Sequence, residues 1–165
     1  MELRIRAARP AEFDEAGRVT ALAYRELVRP GEQAWTQYLE RVADVAGRAQ
    51  RALVLVAVDG DDRILGSTTL ELDARIGEDD APLGTGEAHV RMLGVAPESR
   101  GRGVARALME ACASEARARG KTRLTLHTTE RMIVAQRMYE SIGFVRGIDR
   151  TFPDGFSLLT YAKEL

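Results

Sequence analysis

Residues 95–108, VAPESRGRGVARAL, constrain the fold more than any other stretch, because a strand-like run meets a glycine-bearing turn and then an amphipathic helix. Leu93, Gly94 and Val95 close the strand. Pro97 lacks a backbone donor for a ladder, and Gly101 and Gly103 remove side chains where the chain must turn tightly. The helix that follows opens with four unpaired N–H groups and the positive end of its dipole, and Arg100, Arg102 and Arg106 stand close by. Such a junction holds anions, and a phosphate or pyrophosphate fits it. Two nucleotide patterns are excluded. No Lys-Ser or Lys-Thr follows the glycines as a P-loop requires, and Arg106 occupies the third glycine position of the dinucleotide pattern.

What remains is Arg100-x-x-Gly103-x-Ala105. This resembles the acyl-coenzyme A loop of the GNAT superfamily of N-acetyltransferases, whose pattern is Gln or Arg, two residues, Gly, one residue, then Gly or Ala. A second block, Ala135-x-x-x-Tyr139-Glu140-x-x-Gly143-Phe144, is similar to the family's C-terminal signature, a helix ending in a Tyr before a Gly-Phe pair. The two blocks lie in the family's order and at about its separation, and the element order outside them also fits. The resemblance implies a single α/β domain over residues 1–165. Its central sheet would be mixed, largely antiparallel and twisted, with about seven strands and about four helices on its two faces.

A chain of 165 residues is of single-domain length and buries roughly 70% of its unfolded surface around one core. Lys and Arg total 24 against 25 Asp and Glu, a net charge of −1, so nothing draws nucleic acid or an anionic membrane to the surface as a whole. Any phosphate site must be local. The one cysteine, Cys112, excludes an internal disulfide and reads as small core filler on an apolar helical face. The N-terminal MELRIRAARP has no apolar targeting core, and no run approaches a membrane span, which predicts a cytoplasmic protein.

Along the chain, the alternation of residues 2–8 predicts a first strand. Pro10 opens a helix over about 11–28, ended by Pro30-Gly31, and a second helix follows over about 33–46. Tyr24, Trp35 and Tyr38 lie on this pair. The resemblance implies that the pair roofs the acceptor site, whereas core packing is the simpler account of Trp35. Residues 53–58 read as a central strand buried on both faces, and 64–72 as its hairpin partner. Residues 77–86 read as a loop whose Glu78, Asp79 and Asp80 are a solvated acidic run. In the strand 87–96, Glu87, His89 and Arg91 share one face with Leu93 and Val95, opposite Ala88, Val90, Met92, Gly94 and Ala96. A helix over 102–119, a strand over 121–128, a helix over 130–142, and strands over 144–148 and 156–161 complete the order βααβββαβαββ. Pro153-Asp154-Gly155 is the turn between the last two.

Acetyl transfer from a thioester to an amine needs positioning, a donor for the developing oxyanion, a base for the ammonium proton and an acid for the thiolate; it needs no metal. An imidazole with a pKa near ~6.5 is mostly neutral at neutral pH, which makes His89 the first candidate base. Glu87, one pleat away, is the second. The resemblance implies that Tyr139 is the general acid beside the coenzyme sulfur. It also implies that the strand is bulged near Leu93, Gly94 and Val95, whose main chain would pair with the pantetheine arm. Arg100 and the turn Gly101, Arg102, Gly103, Val104, Ala105 and Arg106 would hold the pyrophosphate. His127 reads as structural. Where the family commonly has Asn, three residues before Ala135, this chain has Met132, so that contact is either missing or moved to Thr128 or Thr129.

The expected reaction is therefore transfer of an acetyl group from acetyl-CoA to a primary amine by direct attack in a ternary complex. The acceptor is a small molecule or a peptide, and a homodimer is plausible by analogy. A catalytically silent acyl-CoA sensor of the same fold is the alternative. It would keep the loop and dispense with the proton-transfer groups.

Overall fold

The computed structural model describes residues 2–29, 31–73, 82–153 and 155–165. The alternating N-terminal segment forms β1 (Arg4–Ala7), antiparallel to β2 (Leu53–Val58), with Ile5 opposite Ala57. The Asp59 carboxylate accepts from the main-chain N–H groups of Asp61 and Arg63 and shapes the turn into β3 (Ile64–Glu71), which is buried throughout. β4 (Glu87–Val95) runs antiparallel to β3 but parallel to β5 (Arg123–Thr128), and β5 pairs antiparallel with β8 (Ser157–Glu164). The order is β1-β2-β3-β4-β5-β8-β6, with β6 being Val145–Arg146; a short β7, Arg150–Thr151, also pairs with β8. A parallel pair requires a crossover, and α4 (Val104–Ala118) supplies it.

The alternation of strand residues assigns the helices to the two faces. Leu55, Ala57, Ala88, Val90, Leu124 and Leu126 point to one side and bury Val104, Leu108, Cys112 and Ala116 of α4, with α5 (Ile133–Ser141) beside them. Val54, Val56 and Val58 point to the other side, against Ala16 and Val19 of α1 (Phe13–Arg25) and Val45 of α3 (Val45–Ala49). Each large apolar side chain so buried contributes about 1.5–3 kcal/mol. Among the described residues no helix is long and apolar enough to cross a membrane.

Several elements differ from the sequence expectation. The helix expected over 33–46 is two, α2 (Gln33–Ala43) and α3, because Asp44 leaves helical geometry and its carboxylate accepts from Gly47 N. Five α-helices and eight strands result among the described residues, where about four and about seven were expected. A 3₁₀ turn, Pro10–Glu12, precedes α1, and α1 gives way after Arg25 to single turns at Leu27 and Val28. The helix expected from residue 130 begins at Ile133, after a turn in which Met132 N donates to Thr129 O. Pro30, Asp154 and the acidic run Glu78, Asp79 and Asp80 lie outside the described residues.

Candidate active site

β4 and β5 pair from Glu87 and Arg123 only as far as Val90 and Leu126, yet both strands continue. A sheet cannot splay without a cause, and the cause sits in β4. Between the pairs Thr69–Arg91 and Ser67–Gly94 the strand carries one extra residue, and Met92 has φ = 54°. A left-handed methionine costs about 1–3 kcal/mol, offset here by packing among Tyr24, Trp35 and Tyr38. The bulge inverts the faces beyond it. His89 and Arg91 face the α1 side. Leu93 and Val95 face the α4 side instead, while Gly94 approaches Thr20 of α1 so closely that a Cβ there would sit 3.0 Å from its Cα. The single shared face expected for His89, Arg91, Leu93 and Val95 is thus broken one residue before the expected bulge. Ala96 N donates to Leu65 O at 2.8 Å, so the alternation of an antiparallel ladder turns the main-chain groups of Leu93 and Val95 away from β3, toward the splay.

The chain leaves β4 through a 3₁₀ turn, Pro97–Ser99, and passes Gly101 (φ 76°) and Gly103 (φ 78°) before α4 begins at Val104. Glycine is required at both angles, and a Cβ at either would meet nothing within 4 Å. The first α4 hydrogen bond is Ala107 N to Gly103 O; among the described residues no main-chain N–H of Gly101, Gly103, Val104, Ala105 or Arg106 donates to a main-chain carbonyl. These donors lie at the positive end of a helix of 15 residues. The arginines beside them are held in place: Arg100 pairs with Glu26 at 2.5 Å, and Arg106 donates to Ser141 Oγ at 3.1 Å.

Two cavities flank the splay and share Thr129 in their walls. One, of ≈ 660 Å³, lies between the end of α1, at Glu26 and Leu27, and the β5–α5 connection, at Glu130 and Arg131. The other, of ≈ 590 Å³, is lined by Tyr24, Tyr38, Arg48, His89, Arg91, His127 and Met132. The rim between them is tied by Arg131, which donates to both carboxylate oxygens of Glu32 (2.6 and 2.9 Å) and to Leu27 O, and lies over the Trp35 ring. Thr129 Oγ1, at the junction, is buried without a hydrogen-bond partner. Thr128 donates to Met132 Sδ at 3.1 Å, so of the two threonines expected to replace the family's Asn contact, Thr129 is the one still unengaged.

His89 is buried, its ring edge-on to His127. Its Nδ1 lies 2.8 Å from Thr125 Oγ1, and that hydroxyl donates to Ala88 O at 3.3 Å. With the hydroxyl turned to Ala88 O, Thr125 accepts from Nδ1–H, and a neutral ring in that tautomer carries its lone pair on Nε2. Glu87 stands elsewhere. Its carboxylate accepts from Gly84 N at 2.8 Å and faces Arg123, and it does not line the cleft. Tyr139 packs against Phe144 and Tyr161 on the α4 side, and burial raises its phenol above the ordinary range. Tyr24 comes from the opposite face; burial, then the phenols of Tyr38 and Tyr139, raise it as well.

Of the two readings open for the aromatic stripe, pocket wall or core, Tyr24 and Tyr38 line the cleft while also packing in a core cluster, and the core account favoured for Trp35 matches its place. Trp35 packs edge-on against Tyr38, outside the wall. Sequence reasoning missed Arg48 and Glu71. Arg48, near the end of a short helix, reads as a solvated charge, yet it is 5% exposed. Glu71 is fully buried beside Arg51 (3.5 Å) and Arg91 (3.6 Å), and the one legible signal was a lone carboxylate ending a strand without other charges.

The family model described as Acetyltransferase (GNAT) family matches residues 20–144. The fold is similar to that of a GCN5-related N-acetyltransferase from Rhodopseudomonas palustris (22% identity, 100% of this chain and 97% of the other, TM-score 0.75). It is also similar to yncA from Salmonella typhimurium, solved with its cofactor acetyl-CoA (19%, 100% and 95%, 0.72). A third is the PaiA N-acetyltransferase from Thermoplasma acidophilum in complex with coenzyme A (15%, 100% and 100%, 0.73). No curated protein matches the sequence.

Proposed function

The chain belongs to the GNAT acetyltransferase family, and from that premise we propose that it moves an acetyl group from acetyl-CoA to a primary amine by direct attack in a ternary complex. The observation that carries this reading is the set of N–H groups at Gly101 and at Gly103, Val104, Ala105 and Arg106 that donate to no main-chain carbonyl. Five such donors at a helix N-terminus and two side-chain-free glycines match a pyrophosphate in charge and in the close approach it needs. From there the pantetheine arm runs along the main chain of Leu93, Gly94 and Val95 as an added strand and brings the thioester to the junction of the two cavities. The amine enters from the cleft that holds His89.

The amine nitrogen attacks the thioester carbonyl carbon. The Thr129 hydroxyl donates to the oxygen as charge develops there, His89 Nε2 takes the proton from nitrogen, and the carbon–sulfur bond breaks. Tyr139, protonated across the physiological range because of its burial, donates to the departing thiolate. Glu87, engaged by Gly84 N, has no part in this route.

The test is calorimetry with coenzyme A beside release of its free thiol from acetyl-CoA over a panel of amines. Binding together with amine-dependent release is expected. Absence of coenzyme affinity removes the reading; affinity without release from any amine makes the domain a sensor.

A further inference from the structure

Arg48 poses a problem that the fold does not solve. It is 5% exposed, lines the acceptor cleft, and donates to Thr69 Oγ1 (3.0 Å), Arg41 O (2.6 Å) and Val42 O (2.9 Å). All three acceptors are neutral. A guanidinium has five donors, so two remain, and among the described residues no carboxylate lies within ion-pair distance. Burying a cation without a counter-ion is costly, and burial here pulls the Arg48 pKa down. The surroundings add positive charge. Arg41 lies over the Tyr38 ring with no ion pair among the described residues, and Arg51 and Arg91 share the single buried carboxylate of Glu71. Asp44, which also lines the cleft, offsets this charge only in part: its carboxylate accepts from Gly47 N and makes no ion pair with Arg48 among the described residues.

Building on the acetyl-transfer reading of this same cleft, we infer that the amine acceptor carries an anionic group, a carboxylate or a phosphonate, which docks on Arg48 with Arg41 and Arg51 beside it. The register supplies the size. Arg48 meets the sheet at Thr69, opposite Arg91, and His89 stands opposite Glu71, two residues along the ladder or about 7 Å away. An amino acid spans that interval with its anion at Arg48 and its amine toward His89. A polyamine would bring only cations to a wall of guanidinium groups.

The experiment compares α-amino acids, their methyl esters, the matching decarboxylated amines and 1-aminoalkylphosphonates, read both by calorimetry on the coenzyme A complex and by thiol release. Amino acids are expected to bind about tenfold or more tightly than their esters, and the phosphonate arm separates the two anions. Arg41→Gln and Arg51→Gln should narrow the acid-to-ester ratio. Arg48→Lys should narrow it further, and because Arg48 also braces α2 and α3, the two exposed arginines keep the test decisive if that variant fails to fold. Equal or tighter binding of esters, decarboxylated amines or polyamines, or a ratio unchanged in the Arg41 and Arg51 variants, overturns the inference. Loss of thiol release with every acceptor would sink acetyl transfer, whereas the binding ratio would still decide the charge preference.

Discussion

Tyr139 and Cys112 face one another in the core between α4 and α5, and the same burial gives them different consequences. Burial, with Glu115 a lesser cause, pushes the Cys112 thiol up to about 12, so it stays protonated. An aromatic disulfide reagent should find no reactive protein thiol in the native state and one after denaturation; a native thiol titrating at neutral pH would contradict this burial. For Tyr139 burial keeps the phenol protonated, which in the proposed reaction lets it hold its proton until a thiolate appears. Tyr139→Phe should lower turnover by about one to three powers of ten with coenzyme affinity nearly unchanged. Unchanged turnover would remove this hydroxyl from the mechanism.

The elements that shape the cleft are α1 and α2, which cross where Gly17 meets the Ala43 carbonyl. A Cβ at Gly17 would collide with that main-chain oxygen, which no side-chain rotation relieves. Gly17→Ala should destabilise the fold by about 1–3 kcal/mol, read as a lower urea midpoint. Tyr24 and Tyr38 stand on the two separated helices, so the KM for the acceptor should rise more than that for acetyl-CoA. A variant with wild-type stability and an unchanged acceptor KM would show the crossing to be slack. At the other element that positions the site, Gly103→Ala places a side chain at φ 78°, where strain of about 1 kcal/mol falls on the turn that carries the donors. Coenzyme affinity should drop, in contrast to Tyr139→Phe.

Across the whole molecule, two ion pairs hold carboxylates down, Arg6–Glu12 between β1 and the turn before α1 and Arg131–Glu32 between segments far apart in sequence. Hydrogen bonds from Arg6 hold Glu12 down at about 2, and hydrogen bonds from Arg131 hold Glu32 at about 2. Both carboxyls titrate near ~4.3 when unfolded, so between these values the unfolded chain binds more protons. The stability they contribute is complete above the unfolded value and is lost as pH falls toward the folded one. Unfolding followed from about pH 5 to about pH 2.5 should show that loss, and Glu12→Gln should flatten the slope. Identical slopes in variant and wild type would refute the linkage.

Periodicity and punctuation determined most of the element order, because strand alternation, the Pro97 stop and the paired glycines act within a few residues of chain. The glycine turn before α4 was legible for the same reason: its donors, its dipole and its missing side chains are all local. Only the tertiary structure decided what happens beyond Arg91. A bulge depends on what both neighbouring strands can pair with and on the aromatic cluster that receives Met92, and neither is written in the strand's own alternation. The break at Asp44 and the burial of Arg48 and Glu71 are of the same kind. Charges at element ends read as solvated until helices packed from elsewhere close over them, and the cost of burying them is set by partners distant in sequence.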